Sequence, residues 1–210
     1  MSRPGMEGQR VRSLSWFREW VYEQLGSVRH ERRVSAICRI LFEKTLPLHD
    51  LNRNDLRLLK LAAYLHDIGR SVNNKNHPAE GARIIRRESD LPLKKRQRRM
   101  LAYVALRHRG RVPDASEDRA LDRVSDKEKA RLILAFLRAA DTLDSRWLPA
   151  PGLSISRRGQ RLRIVCWARG DAQEARSIFG RRKKFKLLEE MLDCRIEVAV
   201  KVRRRLRAAA

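Results

Sequence analysis

The hydrophobic periodicity of the chain changes near residue 150. Before this point apolar residues recur every three or four positions, as Val34, Ile37 and Leu41 do, which is the spacing of one face of an α-helix. After it they alternate with polar residues, as Leu162 and Ile164 do, which is the spacing of one face of a strand. The sequence therefore predicts a mainly α fold that ends in a small α+β subdomain.

Six helices are predicted before the change in periodicity. They are helices over residues 14–25 and 28–41, a helix capped by Asn54 or Asp55 that ends by Gly69, a helix opened by His77 and Pro78, a helix around residues 101–105, and a helix over 126–143. We expect residues 1–12, which are polar, basic and contain Gly and Pro, to form a disordered leader, and residues 13–148 to form the helical domain.

The C-terminal segment, residues 153–204, is predicted to fold in the order strand, strand, helix, strand. Residues 153–157 and 161–167 flank the turn at residues 158–160 and should form a hairpin. Asp171 and Glu174 have the spacing of a capping box for a single helix that continues through Leu192. Residues 196–202 alternate again and predict the last strand.

The chain is strongly basic, with 49 Lys plus Arg against 25 Asp plus Glu and a formal net charge of +24. Such a charge attracts polyanions: nucleic acid, nucleotides, polyphosphate or an anionic membrane. An arginine-rich genome composition explains the same charge without any ligand. Sequence-specific reading of DNA or RNA is disfavoured, because no helix-turn-helix, RNP or zinc-finger pattern is present.

The three cysteines, Cys38, Cys166 and Cys194, are far apart and have no CxxC spacing, which argues against disulfides and thiolate zinc sites. No segment approaches the roughly 18 consecutive apolar residues of a membrane span, and the first residues lack the apolar stretch of a signal peptide. We therefore expect a cytoplasmic protein without a membrane span. Its exposed basic faces leave a homodimer open.

Several histidines and carboxylates fall on helix faces that are otherwise apolar. His30 shares its face with Val34 and Leu41, and Asp141 and His108 occupy equivalent positions on two later helices. A buried carboxylate without a partner is unfavourable, so these groups should meet each other, a cation, or both.

The doublet His66 and Asp67 ends a third apolar helix. Neighbours on a helix point about 100° apart, which lets the imidazole and the carboxylate approach one cation from two sides. A mixture of neutral nitrogens and anionic oxygens suits Mn, Fe, Zn, Ni or Co, and Mg less well. We therefore predict one or two divalent ions, held by His30, His66, Asp67 and Asp141, with His77 and His108 available for the second ion.

Each of these residues also has a purely structural interpretation. A single histidine on an apolar face is more often a hydrogen-bonded core residue than a metal ligand. Asp67 could instead neutralise Arg70, and Asp141 could cap a helix or pair with an arginine. His49 lies on no apolar face, so we interpret it as structural or exposed. The presence of several such residues in one small domain favours the metal site.

His30, the doublet in AAYLHDIGR (residues 62–70) and the acid in FLRAADTLD (residues 136–144) resemble the H...HD...D signature of the HD superfamily of metal-dependent phosphohydrolases. The ordered set on separate helices is specific, whereas a lone HD doublet is common. The resemblance implies an HD-type helical bundle with its metal site at His30, His66, Asp67 and Asp141.

A more extensive resemblance covers most of the chain. The stretches LHDIGRSVNNKNHPAEGARII, SDLPL, LAYVALRHRG and FLRAADTLDSR resemble the C-terminal region of the exopolyphosphatase/guanosine pentaphosphatase (Ppx/GppA) family, where a small α+β unit follows the HD domain. In that family the exopolyphosphatase chemistry belongs to N-terminal actin-like domains with glycine-rich phosphate loops and a catalytic Glu. No such loop is seen here, so we expect a chain without these domains, to which exopolyphosphatase activity does not transfer.

The first functional hypothesis is metal-dependent hydrolysis of a phosphate ester or anhydride. A bound cation would lower the pKa of a water molecule, and the catalytic Asp67 would bind the metal and orient that water. The resemblance implies a nucleotide such as guanosine tetra- or pentaphosphate, or polyphosphate, as substrate. The basic residues that lie near the ligands in sequence, and could hold phosphate oxygens, are Arg70, Lys75, Arg107, Arg109 and Arg146.

The second hypothesis belongs to a different class: a non-catalytic regulatory module that binds polyphosphate, nucleotide or RNA and partners a separate phosphatase. The high basic charge favours it. Binding that depends on Lys and Arg should weaken with salt and survive removal of metal, whereas the hydrolysis should stop without metal.

Overall fold

The computed structural model describes residues 13–202. The predicted leader, residues 1–12, and the last two residues of the predicted α+β subdomain lie outside the described residues. The described part is mainly helical, with one three-stranded sheet near its C-terminal end. The predicted fold class is therefore confirmed.

All six predicted helices of the N-terminal part are present. They are α1 (Leu14–Leu25), α2 (Arg29–Lys44), α3 (Arg53–Leu65), α4 (His77–Arg87), α5 (Lys95–Arg107) and α6 (Lys127–Thr142). As predicted, Pro78 occupies the first turn of α4, where a missing backbone N–H removes no helical hydrogen bond.

The start of α3 differs from the prediction. The capping residue is Asn52, rather than Asn54 or Asp55, and its side-chain oxygen accepts hydrogen bonds from the backbone N–H groups of both. The Asp55 carboxylate in turn accepts a hydrogen bond from the Asn52 backbone N–H, which completes a capping box. Both predicted residues take part in the cap, but as residues of the first helical turn rather than as the capping residue.

Helix α6 is the centre of the helical part. Eleven of its sixteen residues are buried, so it is enclosed on nearly all sides. Helices α2, α3 and α5 pack around it, and α4 packs against α5. Because α6 is surrounded, a polar residue near its end is buried among other helix ends rather than exposed to solvent.

The sheet contains β1 (Gly152–Arg158), β2 (Arg161–Ala168) and β3 (Arg195–Val202). Strands β1 and β2 form the predicted antiparallel hairpin, and β3 pairs with β2 in parallel, so β2 is central. One face of β2, formed by Leu162, Ile164, Cys166 and Ala168, is completely buried.

The single helix predicted through Leu192 is wrong. The structure has α7 (Ala172–Phe179), a 3₁₀ turn over Arg182–Lys184, and α8 (Lys186–Leu192). Gly180 ends α7, and a Cβ atom at this position would lie 2.6 Å from the carbonyl oxygen of Arg176. The interruption turns the chain, so that α8 and the 3₁₀ turn pack against α6. We call residues 152–202 the C-terminal unit.

No helix within residues 13–202 has the length and apolar character that a membrane crossing requires.

Gly69 lies in a short 3₁₀ turn after α3, where it meets the backbone of α4. A Cβ atom at Gly69 would lie 2.1 Å from the carbonyl oxygen of His77 and 2.4 Å from the backbone nitrogen of Gly81. These are backbone atoms that cannot move aside as a side chain can. The absence of a side chain therefore allows the end of α3 and the start of α4 to approach closely.

We predict that Gly69→Ala lowers the free energy of unfolding by at least about 2 kcal/mol, because the new methyl group overlaps the backbone of α4. The measurement is the urea unfolding midpoint and slope by circular dichroism. Gly152→Ala is the control, since a Cβ there meets Trp167 at an ordinary 3.5 Å and should change stability by less than about 0.5 kcal/mol. Equal stability of the two variants would contradict this description of Gly69.

Candidate metal centre

Five helix ends meet at one end of the helical part, and each brings a histidine or a carboxylate. His30 lies in the first turn of α2, His66 directly follows α3, and His77 is the first residue of α4. His108 directly follows α5, and Asp141 lies in the last turn of α6. The six residues predicted as metal ligands, which are these five and Asp67, are thus brought together.

Three of the histidines are held in the same way by the backbone. The Nδ1 atom of each lies 2.7–2.9 Å from the carbonyl oxygen three residues earlier, which belongs to Ala63 for His66, Asn74 for His77 and Ala105 for His108. A carbonyl oxygen only accepts, so Nδ1 carries the proton in each ring. In a neutral ring, Nε2 then carries a lone pair, which is the form that binds a metal.

The three Nε2 atoms face one another and the carboxylates. His77 Nε2 lies 3.0 Å from Asp67 Oδ1 and 3.2 Å from His108 Nε2, which is itself 3.3 Å from Asp67 Oδ1. Lone pairs and carboxylate oxygens repel one another at such distances. A proton or a metal cation between them removes the repulsion.

His66 occupies the middle of the cluster. Its Nε2 atom is buried and has no hydrogen-bond partner among the described residues. It lies 3.7 Å from Asp67 Oδ2 and 3.6 Å from Asp141 Oδ1, too far for a hydrogen bond to either. Two groups of possible ligand atoms share it: His30, His66 and Asp141, and His66, Asp67 and His108, each with its ligand atoms within 4.8 Å of one another.

Asp67 is a buried carboxylate surrounded by donors and histidines. Its Oδ2 accepts hydrogen bonds from Arg70 Nε at 2.7 Å and from the guanidinium of Arg146 at 2.8 Å. Burial alone would raise the pKa of Asp67, but the neighbouring His66, His108 and His77 lower this pKa well below its usual range. Asp67 is therefore anionic at neutral pH.

Burial keeps His108 neutral, whereas at Asp141 its effect is outweighed by neighbouring groups. It lowers the pKa of His108 to about 4, despite the raising effect of Asp67, so this ring is neutral at physiological pH. The pKa of Asp141 would rise on burial, yet the hydrogen bond from His30 and the nearby His66 lower it well below its usual range. A neutral imidazole and an anionic carboxylate are the protonation states that metal ligands require.

His30 lies between two carboxylates of α6 and the loop after it. Its Nδ1 lies 2.7 Å from Asp144 Oδ2, and its Nε2 lies 3.2 Å from Asp141 Oδ1. Burial alone would lower the pKa of His30, but hydrogen bonds to Asp141 and Asp144 raise it to about 9. A proton on Nε2 thus neutralises Asp141, and metal binding at this nitrogen would release that proton.

The five predicted phosphate-binding residues occupy different places. Arg70, Arg109 and Arg146 line a cleft of about 350 Å³ that opens onto the centre. Arg70 and Arg146 donate to Asp67, and Arg146 also bonds the buried Glu31. The other two, Arg107 and Lys75, are not among the described residues that line the cleft.

Arg107 points away from the cleft because its neighbour His108 points into it, and adjacent helical residues diverge by about 100°. Its guanidinium donates to both carboxylate oxygens of Asp118. Lys75 lies in the exposed loop before α4.

The sequence interpretation missed Asp144 and Lys184. Asp144 orients His30 and receives a two-pronged contact from Arg33, with Arg33 Nε 2.6 Å from Asp144 Oδ1. Its position three residues after Asp141, in DTLD, was the available signal. Lys184 lines the cleft from the C-terminal unit, more than 40 residues after the last predicted ligand, and no local pattern indicates it.

His49 is the fifth histidine and has a structural environment, as interpreted from the sequence. Its Nε2 lies 3.3 Å from the carbonyl oxygen of Phe42, and its Nδ1 accepts from the Leu51 backbone N–H. Its ring also packs against Phe42 and Phe136. It therefore serves as a matched control for substitutions in the centre.

Fold and site together define a helical domain that gathers histidines and carboxylates at its helix ends and continues into a small α+β unit. The family model of Ppx/GppA phosphatase, domain III, matches residues 27–149, which is more than half of the chain and includes all six candidate ligands. The chain therefore belongs to the Ppx/GppA family, as its resemblance to the C-terminal region of that family predicted. No curated protein matches the chain.

We predict that His66→Gln lowers bound divalent metal at least about tenfold, because Nε2 of His66 is shared by both groups of ligand atoms. Elemental analysis after equilibrium dialysis against Mn²⁺ or Zn²⁺ measures this loss. His49→Gln removes a histidine outside the centre and should bind as much metal as the wild type. Unchanged metal content in His66→Gln would exclude the centre as a metal site.

Asp144→Asn should weaken metal binding about 10- to 100-fold, because a neutral amide no longer fixes and polarises His30 as a carboxylate does. Competition with a fluorescent chelator measures the affinity. The control is Glu43→Gln, which alters a carboxylate in an exposed pair with Arg39. If both variants bind metal with the wild-type affinity, Asp144 has no part in the centre.

Proposed function

We propose that the protein is an HD-type, metal-dependent phosphohydrolase that acts on a phosphate ester or anhydride. One observation carries this proposal: imidazole nitrogens and carboxylate oxygens from five helix ends converge on one point, where the buried Nε2 of His66 has no partner among the described residues. Membership of a phosphatase family agrees with it.

The donor set fits one or two divalent cations. Nitrogen and oxygen ligands together favour Mn, Fe, Zn, Ni or Co over Mg. His30, His66 and Asp141 would hold one ion. His77 and His108 would contribute to a second ion, and Asp67 would lie between this pair and the other three ligands. The C-terminal ends of α3, α5 and α6 lie at the centre, and the partial negative charge at a helix C-terminus also favours a cation.

A divalent cation at this point would activate water and withdraw charge from a phosphoryl oxygen. The side chains of the chain itself would orient and neutralise the reactants. Asp67 is held by Arg70 and Arg146 on one oxygen, which leaves Oδ1 directed at the histidines. We assign Asp67 the catalytic role of binding metal and orienting the attacking water.

The cleft favours an anionic substrate. Five cationic side chains line it, belonging to Arg70, Arg109, Arg146, Arg181 and Lys184. Its volume of about 350 Å³ is within the range of small-molecule sites. We propose a nucleotide such as guanosine tetra- or pentaphosphate, or polyphosphate, as the substrate. Arg109 is exposed at the cleft, and Arg70 and Arg146 could contact phosphate with the donors that Asp67 leaves free.

The second candidate is a non-catalytic module that binds polyphosphate, nucleotide or RNA beside a separate phosphatase. A second cavity of about 580 Å³ supports it, since Arg131, Arg138, Lys183 and Lys186 line this cavity with only Asp114 and Glu190 as carboxylates. Arg138 donates to two backbone carbonyls. No carboxylate of the described residues forms an ion pair with it.

A reducing cytoplasm remains our proposed location, in accord with the free thiols of Cys38, Cys166 and Cys194.

The purified full chain should contain divalent metal and release phosphate from at least one member of a panel of guanosine tetraphosphate, GTP, polyphosphate and para-nitrophenyl phosphate. Asp67→Ala should lower the rate at least about 100-fold, since the attacking water is no longer oriented. Asp50→Ala, at an exposed carboxylate, is the control and should keep the wild-type rate.

Removal of metal with a chelator should abolish the phosphate release, and added Mn²⁺ should restore it. The opposite outcome is a metal-free protein that releases no phosphate from the panel but binds polyphosphate with an affinity that falls steeply with salt. That outcome would reject the enzyme and support the binding module.

A further inference from the structure

Lys184 reaches the metal centre from the C-terminal unit. It is the last residue of the 3₁₀ turn between α7 and α8, and its side chain is only 19% exposed. Its Nζ atom lies 3.2 Å from the carbonyl oxygen of His108 and 3.9 Å from Asp141 Oδ2. The ammonium group therefore sits beside two candidate ligands although it belongs to a different part of the fold.

The hydrogen bonds of this ammonium group are incomplete. It has three N–H donors, and the carbonyl oxygen of His108 is its one hydrogen-bond acceptor among the described residues. The 3.9 Å separation from Asp141 is longer than a hydrogen bond. Two of the N–H donors therefore have no acceptor among the described residues, although the side chain is largely buried. An additional anionic acceptor would stabilise it.

The surroundings specify where that acceptor would lie. Lys184 lines the cleft together with Arg109 and Arg181, so three cations share this cleft with the carboxylates of the centre. Arg181 donates to the Ser177 carbonyl oxygen, and no carboxylate among the described residues pairs with Arg109 or Arg181. An anion bound in the cleft would therefore contact these side chains on one side and the metal ions proposed for the centre on the other.

We propose that Lys184 binds a phosphate oxygen of the substrate at the metal centre, so that the C-terminal unit supplies a substrate-binding residue to a site whose ligands come from the helical part. This inference rests on the proposed function and adds the source of one phosphate contact. It also gives the C-terminal unit a role in binding, because without the packing of its 3₁₀ turn on α6 no ammonium group would be present there.

Lys44 is a matched control. It carries the same charge, but it is exposed at the end of α2 and lines neither the cleft nor the second cavity. Lys44→Gln and Lys184→Gln change the net charge of the protein equally. A difference between them therefore measures position and not overall charge.

The test is calorimetric titration of inorganic phosphate into the Mn²⁺-loaded full chain, with bound Mn²⁺ measured in every sample. We expect Lys184→Gln to weaken phosphate binding about 10- to 100-fold, the range for loss of one charge-assisted hydrogen bond, and to retain its Mn²⁺. Lys44→Gln should stay within about twofold of the wild type. Should Lys184→Gln fail to fold, Lys184→Met gives the same comparison with an unbranched apolar side chain.

Wild-type phosphate affinity in the Lys184 variant overturns the inference, and so does a loss of Mn²⁺ together with phosphate, which would make Lys184 a support of the metal centre. Phosphate binding that depends on Lys184, in a protein that hydrolyses none of the panel, rejects the proposed enzyme and keeps the phosphate site. A Mn²⁺-loaded wild type that binds no phosphate overturns the inference, whereas the proposed function is decided separately by phosphate release from the panel.

Discussion

Three hydrogen bonds between an imidazole and the backbone determine the chemistry of this protein. His66, His77 and His108 each donate Nδ1–H to the carbonyl three residues earlier, so the orientation of each ring is fixed by the turn that precedes it. Their other nitrogens then point at Asp67 and Asp141. The helical part thus concentrates electron-pair donors in its interior, and a positive charge is needed to balance them. The arginines on the outer oxygen of Asp67 supply some of that charge, but not between the rings.

Much of this arrangement is contained in local patterns. The three-to-four spacing of apolar residues predicted the helices. Polar residues on those apolar faces, such as His30 and Asp141, predicted which side chains come together in the centre. Local patterns do not show in which direction a side chain points at a helix end, or which distant segments pack together. Arg107 and His108 are neighbours, yet one pairs with Asp118 and the other joins the centre. A lone glycine such as Gly180 is tolerated in many helices, so its effect on the last predicted helix depended on tertiary contacts.

The strong positive charge acquires a location in the structure. A chain with a net charge of +24 could carry it as a uniform coat, and most of its basic residues are indeed on the surface. Around the cleft, however, cations are drawn from the helical part and from the C-terminal unit, while the carboxylates come from the helical part. The C-terminal unit therefore contributes positive charge alone to the cleft, and its packing on the helical part makes the electrostatic potential uneven across the opening. Such an uneven potential orients an incoming anion as well as attracting it.

The backbone contact at Gly69 limits how far substitutions elsewhere in the protein can disturb this centre. The spacing between Asp67 and His77 is determined by main-chain atoms of the 3₁₀ turn and α4 in direct contact, without an intervening side chain. Substitutions in the apolar core alter side-chain volumes, and their effects reach this spacing only by displacing two backbone segments together. Substitutions in the core should therefore lower the thermal stability well before they alter the positions of the candidate ligands. A changed apolar core should then leave the distances between these candidate ligands nearly the same.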